Sequence, residues 1–238
     1  MSRPVLLDVC SCAGIGADGY AAAGWEVVCL DNDKGALKHN PHHTILGDAL
    51  TLLADRGFMA QFDAVHASFP CQLFSATRQL AIAQGKGKGR AVDLLTPGLA
   101  LLANLDVPWI VENVERSPVR HMPGAVRLCG STWGLKVQRH RWFAPSPGLE
   151  LAGTSCDHST FDRDPISGKP RPWGVYYAKG DSIPSGGRTC LTDAHAHECM
   201  GVHRQVPWRL LCEGLPPVYT EHLGRQLLAA LSSHADAA

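Results

Sequence analysis

Cys71 is the residue in this chain best placed to do covalent chemistry. It lies in Ala67-Ser68-Phe69-Pro70-Cys71-Gln72-Leu73-Phe74-Ser75, just past an apolar run from Phe62 to Ala67. That run reads as a short buried strand stopped by a proline. In α/β proteins the reacting groups gather at the carboxyl ends of strands, so the position suits a nucleophile. A cysteine there is more often a small buried hydrophobe, and only its company argues otherwise. Between Gln72 and Val92 stand four basic residues, Arg78, Lys86, Lys88 and Arg90, and no acidic ones. Such runs are usually solvated loops, but beside a candidate nucleophile this one points to a polyanionic substrate.

The elements needed to position such a group can be read along the chain. Val5 to Cys10 is an apolar strand, Ser11-Cys12-Ala13-Gly14-Ile15-Gly16 a small-residue turn, and about 17–23 a helix stopped by Gly24. Together they form half of a nucleotide-binding unit, with backbone N–H groups free at the helix start. The next strand, Glu26 to Leu30, ends in Asp31, an acid placed to take two ribose hydroxyls or to cap the segment near Asp33. Asp48 is a second acid at the end of a short extended run. A helix over 49–56, the strand at 62–67 and a helix over 93–105 follow, with Pro97 tolerated near the first turn. Val107 to Val111 is a strand ending in Glu112-Asn113-Val114. This alternation predicts a parallel sheet with helices on both faces. From Pro145 to about Pro207 prolines, glycines and polar residues replace the periodicity, as in a small irregular inserted module. Leu223, Leu227, Leu228 and Leu231 then lie at helical spacing and predict a last helix packed back on the sheet.

Composition sets the outer bounds. With 238 residues, 45% hydrophobic and 18% charged, the chain can bury one good core and is not of the disordered class. Nine cysteines, an odd number, with no signal-like segment before them, point to free thiols in a reducing cytoplasm. A formal net charge of zero excludes a general polycation, though a local basic patch can still attract nucleic acid. Cys156-x-His158, Cys190 and His195-x-His197-x-Cys199 have ligand types suited to zinc, but their spacing is neither CxxC nor that of a finger. They read as free residues, and no metal is assigned.

Asp8-x-Cys10 with its turn, Asp31, Asp48, Pro70-Cys71-Gln72, Glu112-Asn113-Val114 and Arg139-His140-Arg141 form an ordered set. This set resembles that of the C5-cytosine DNA methyltransferases, particularly the short forms of phages and prophages. The resemblance covers nearly the whole chain, and Leu215-Pro216-Pro217-Val218-Tyr219-Thr220-Glu221 is similar to the family's closing motif. It departs at the first turn, where Cys10, Cys12 and Ile15 stand at a phenylalanine and two glycines of the family pattern. Gln138 stands one residue from the glutamine of the family's Gln-x-Arg-x-Arg.

The resemblance implies an α/β, Rossmann-like S-adenosylmethionine-dependent methyltransferase domain over 1–144. A target-recognition module at 145–204 and a returning segment at 205–238 complete the implied organisation. The implied reaction is methyl transfer to carbon 5 of a flipped-out cytosine through a covalent Cys71 adduct. A thiolate added at carbon 6 makes carbon 5 an enamine terminus. Glu112, kept protonated by burial, would donate to N3. Arg141 would face O2, and Arg139 a phosphate or the loop. The implied cofactor residues are Asp8, Cys10, Gly14, Asp31, Asp48, Ala49 and Leu94. Gln72, Ser75, Arg78, Lys86, Lys88 and Arg90 would face double-stranded DNA. Arg163, Lys169, Arg171, Lys179 and Arg188 of the module could follow phosphates. The protein is expected to act as a cytoplasmic monomer on the nucleoid, with no membrane partner, in phage biology or restriction-modification. The same chemistry on RNA, or a catalytically weak DNA-binding relative, remains open.

Overall fold

In the computed structural model, residues 3–75, 92–175, 188–190 and 192–235 are described. Seven strands form one sheet: β1 (Val5–Val9), β2 (Glu26–Asp31), β3 (His43–Leu46), β4 (Ala64–Ala67), β5 (Trp109–Val114), β6 (Val126–Leu128) and β7 (Arg141–Pro145). Their order is β3-β2-β1-β4-β5-β7-β6. β1 to β5 run parallel, and β7 runs against both β5 and β6. The order reverses between β1 and β4, the place where open α/β sheets bind ligands beyond their carboxyl ends.

The central strands are apolar because both sheet faces are covered. Leu7, Val9, Val65 and Val111 pack beneath α3 (Ala49–Ala54) and α5 (Leu95–Leu102). Leu6, Ala64, Ile110 and Phe143 pack beneath α1 (Ile15–Ala23) and the long last helix α8 (Pro217–Ala235). The remaining helices are α2 (Lys34–Leu37), α4 (Arg56–Met59), α6 (Asp193–Met200) and α7 (Trp208–Glu213).

Several predicted elements are observed with different bounds. The helix expected over 49–56 is two short ones, since the Asp55 carboxylate accepts from Phe58 N and starts α4. β5 continues through Glu112-Asn113-Val114 rather than ending before it. α5 begins where Asp93 Oδ1 accepts from the N–H groups of Leu95 and Thr96, which leaves Pro97 in the first turn. The last helix extends beyond both ends of its leucine pattern, from Pro217 to Ala235. It is tied down by Trp25 Nε1–H donating to Gly224 O (3.0 Å) and Thr220 Oγ1–H donating to Gly16 O (2.6 Å).

After β7 the chain forms a small parallel pair, β8 (Trp173–Gly174) with β9 (Arg188–Thr189), followed by α6. Val175, Cys190, Ala196, Cys199, Met200 and Leu211 share a core with Ala13 and Ile15 of the turn after β1. The irregular segment therefore packs onto the small-residue turn after β1, the candidate nucleotide-binding loop. Among the described residues no helix is long and apolar enough to cross a membrane.

Candidate active site

The loop after β4 carries Cys71, and three contacts hold it. Ser68 N–H donates to Val9 O (3.0 Å). Phe69 is buried and fills a notch at Gly98 on α5, where a Cβ would lie 2.2 Å from its Cζ. Asn113, fully buried on β5, donates from Nδ2 to Phe69 O (3.0 Å) and accepts at Oδ1 from Val114 N (2.9 Å). Within the motif, Glu112 and Asn113 thus divide the work: adjacent strand residues point to opposite faces. Asn113 staples the Cys71 loop, and Glu112 faces the charged groups.

Glu112 is buried, and its Oε1 lies 3.1 Å from Arg141 Nε. That approach is an ion pair without an aligned hydrogen bond, so Oε1 has no hydrogen-bond partner among the described residues. Burial pushes the Glu112 carboxyl above its usual range, with Arg141, His66 and Arg139 pulling against it. Burial likewise pushes the half-buried Cys71 thiol up; Arg141 lowers it, Glu112 adds to the rise and Arg139 lowers it. At neutral pH the resting residue is therefore a thiol, and charge on its sulfur is favoured chiefly by Arg141.

Arg141 starts β7 and also donates from an Nη to His140 O (2.9 Å). Arg139 takes a different place from the phosphate or loop contact expected for it. Its guanidinium turns inward and donates to the carbonyls of Cys212 and Gly214, both at 2.6 Å. Its backbone has a positive φ of 35°, and the Tyr219 hydroxyl donates to its carbonyl (3.1 Å). Burial first, then Arg141, brings its pKa down to about 10. Arg139 ties the closing segment to the β7 entrance.

The loop after β1 lies beside the carboxyl ends of β2 and β3. Cys10 and Cys12 adopt positive φ values of 59° and 51° despite their side chains, and Gly14 follows at 71°. Non-glycine residues held in that region cost about 1–3 kcal/mol each, a strain typical of ligand-binding turns. Asp31 holds the strained loop: Oδ2 accepts from Cys12 N (2.7 Å) and Oδ1 from Asp33 N (2.8 Å). The cap of α2 is Asp33, not Asp31. Asp48 caps α3 through Oδ1, which takes both Thr51 groups at 2.8 Å. The Cys10 thiol is raised by burial and then by Asp31, Asp8 and Asp48, which places it among these acids. Gly14 caps α1 without a side chain, so the first N–H groups of that helix take no side-chain cap. Ala49 is buried at the start of α3, and Leu94 packs against the core at the start of α5.

Asp8, expected at the cofactor, meets a histidine in the structure. It is buried within β1 and its Oδ1 sits 2.8 Å from His66 Nδ1 on β4, its register partner. His66 was missed in the sequence; a histidine inside an otherwise apolar strand was the available signal. Gln72 is exposed and Ser75 half-buried; Ser75 N–H donates to Cys71 O (2.9 Å) in the turn beyond the thiol. Arg78, Lys86, Lys88 and Arg90 lie outside the described residues, as does Lys179.

The strand order, with one reversed strand next to the edge, and the strained turn at the end of β1 define a Rossmann-like methyltransferase fold. No protein-family model matches the chain, and no curated protein matches it by sequence. Solved structures do. A substituted form of Spodoptera frugiperda DNMT2 aligns at 15% identity and TM-score 0.58, over 95% of this chain and 100% of that one. The Schizosaccharomyces pombe Dnmt2 methyltransferase aligns at 15% and 0.58, over 97% and 99%. The Entamoeba histolytica methyltransferase EhMeth aligns at 10% and 0.55, over 97% and 99%.

Proposed function

We propose that this protein is an S-adenosylmethionine-dependent cytosine-5 methyltransferase acting on double-stranded DNA. One observation carries the reading. The Cys71 loop, stapled to β5 by Asn113, stands in the field of a buried, partly unpartnered Glu112 and of Arg141. A thiol, a protonated carboxyl and a guanidinium are the set that conjugate addition to a pyrimidine needs.

Asp31, Asp48 and the uncapped N–H groups of α1 would hold S-adenosylmethionine, which supplies a methyl group on a sulfonium. The donor set fits a nucleoside with a positively charged sulfur, since carboxylates and backbone N–H groups surround the turn. The chain's own groups do the rest. The Cys71 sulfur gives its proton to solvent and bonds to carbon 6, as the carbon 5–carbon 6 double bond opens and its electron pair shifts toward N3. Glu112 holds a proton at N3, and Arg141 faces the oxygen where charge accumulates. When carbon 5 passes its proton to solvent, the freed electron pair re-forms the carbon 5–carbon 6 double bond and the sulfur leaves as thiolate. Gln72, Ser75 and the basic residues beyond them would meet the phosphates around an extruded base. Cys10, Gly14, Ala49 and Leu94 remain assigned to the cofactor pocket in this reading. The segment 145–204 would select the sequence, and the chain would work as a monomer.

The test is transfer of labelled methyl from S-adenosylmethionine to duplex DNA and, in parallel, to folded RNA. Wild-type protein should label cytosine in DNA, and Cys71→Ser should not. DNA carrying 5-fluorocytosine at the target should trap an adduct on Cys71. Label entering RNA alone would overturn the DNA assignment, and an active serine variant would overturn the mechanism.

A further inference from the structure

Four chemistry-bearing side chains take no part in the site just described, yet they converge next to it. Cys129 follows β6, His140 precedes β7, and Cys156 and His158 lie in the segment after β7. Their Sγ and ring-nitrogen atoms all fall within 4.8 Å of one another. Cys129 Sγ is 3.4 Å from His158 Nε2, and Cys156 Sγ is 3.4 Å from His140 Nε2. The two imidazoles stack at 5.2 Å. In a tetrahedral zinc site with bonds of about 2.0–2.3 Å, donor atoms stand about 3.3–3.8 Å apart. The set already lies close to those separations.

We propose that Cys129, His140, Cys156 and His158 form a structural zinc site of the Cys2His2 type. Two thiolates and two neutral imidazoles close a four-coordinate shell, as structural zinc requires, and the thiol protons pass to solvent on binding. The surroundings match that use. Glu115 Oε2 lies 3.8 Å from His140 Nδ1, on the ring's other side, where an outer carboxylate orients a ligating histidine. Arg127 donates to Cys156 Sγ (3.7 Å). The ion would pin the loop carrying Cys156 and His158 to the β6–β7 hairpin, one residue before Arg141.

A second group, Cys190, His195 and Cys199, offers three donors among the described residues, one short of a closed shell. His197, also noted in the sequence, belongs to neither set. Its Nδ1 bonds Asp193 O (2.6 Å) and its Nε2 accepts from Val206 N (3.0 Å). The three-donor group therefore serves as the internal control.

The experiment measures zinc by mass spectrometry in full-length protein, purified with reductant and freed of any affinity tag. Wild type, Cys129→Ser/Cys156→Ser and Cys190→Ser/Cys199→Ser are compared after incubation with zinc and removal of the excess. The first double variant should hold about one zinc per chain fewer than wild type, and the second should retain that equivalent. As a readout independent of the variant's folding, wild type is also alkylated with N-ethylmaleimide before and after chelation. Cys129 and Cys156 should be protected until the chelator is added. Cobalt in place of zinc should give the intense visible bands of a tetrahedral thiolate site. A zinc-free wild type, zinc that leaves only with Cys190 and Cys199, or alkylation of Cys129 and Cys156 indifferent to chelation would each overturn the site.

Discussion

Asn113→Ala should loosen the Cys71 loop without unfolding the protein. Asn113 has no exposed surface and makes two hydrogen bonds, to Phe69 O at 3.0 Å and from Val114 N at 2.9 Å. Alanine deletes both partners at once. It leaves the Phe69 carbonyl and the Val114 N–H unpaired, at about 1–3 kcal/mol for each group that stays dry. Water admitted to the small void recovers part of that, so the expected loss is about 2–4 kcal/mol. A domain of ordinary stability, about 5–15 kcal/mol, survives such a change at 25 °C. The loop retains its other anchors, Ser68 N–H on Val9 O and the Phe69 ring in the Gly98 notch. Urea unfolding reads the stability: the midpoint should fall with the slope unchanged. Alkylation of Cys71, followed by peptide mass spectrometry, reads the loop, and it should accelerate. A midpoint within about 0.5 kcal/mol of wild type, the range of ordinary surface substitutions, would refute the staple. A lowered midpoint with unchanged Cys71 reactivity would show that Asn113 supports β5 and not the loop.

Three further outcomes follow from the site. Since burial raises the Cys71 thiol, alkylation at pH 7 should be slower than for an exposed cysteine and should climb through alkaline pH. Arg141→Ala should push that profile higher still, and a plateau already reached at pH 7 would count against the burial. Asp31→Ala removes the acceptor of Cys12 N and Asp33 N and should weaken S-adenosylmethionine binding by about 1–3 kcal/mol in calorimetry. Asp48→Asn should be milder, because asparagine also caps a helix, and full affinity in both would mean that the nucleotide site lies elsewhere. Breaking the buried Asp8–His66 hydrogen bond with His66→Ala should cost about 1–3 kcal/mol in urea unfolding, the range for a buried group left without its partner. The double variant with Asp8→Ala should lose less than the sum of the singles, whereas strict additivity would show that the two side chains do not interact.

The sequence by itself determined the alternation of strands and helices and the strand ends at or beyond which Asp31, Asp48 and Cys71 stand. Those features are local: an apolar run, a turn of small residues and a polar residue at the stop each carry their signal within a few positions. The face that Glu112 shares with Ile110 also follows from the period of a strand. What tertiary structure decided were the partners. Asp8 meets His66 only because β1 and β4, 58 residues apart, are neighbours in register. Arg139 turns inward because the carbonyls of Cys212 and Gly214, more than 70 residues on, arrive beside it. Cys156 and His158 stood out in the sequence, but their other two companions, Cys129 and His140, stand at the two ends of the segment joining β6 to β7 and follow no metal-binding spacing. Periodicity tells which way a side chain points; sheet order and the path of the irregular segment decide what it meets there.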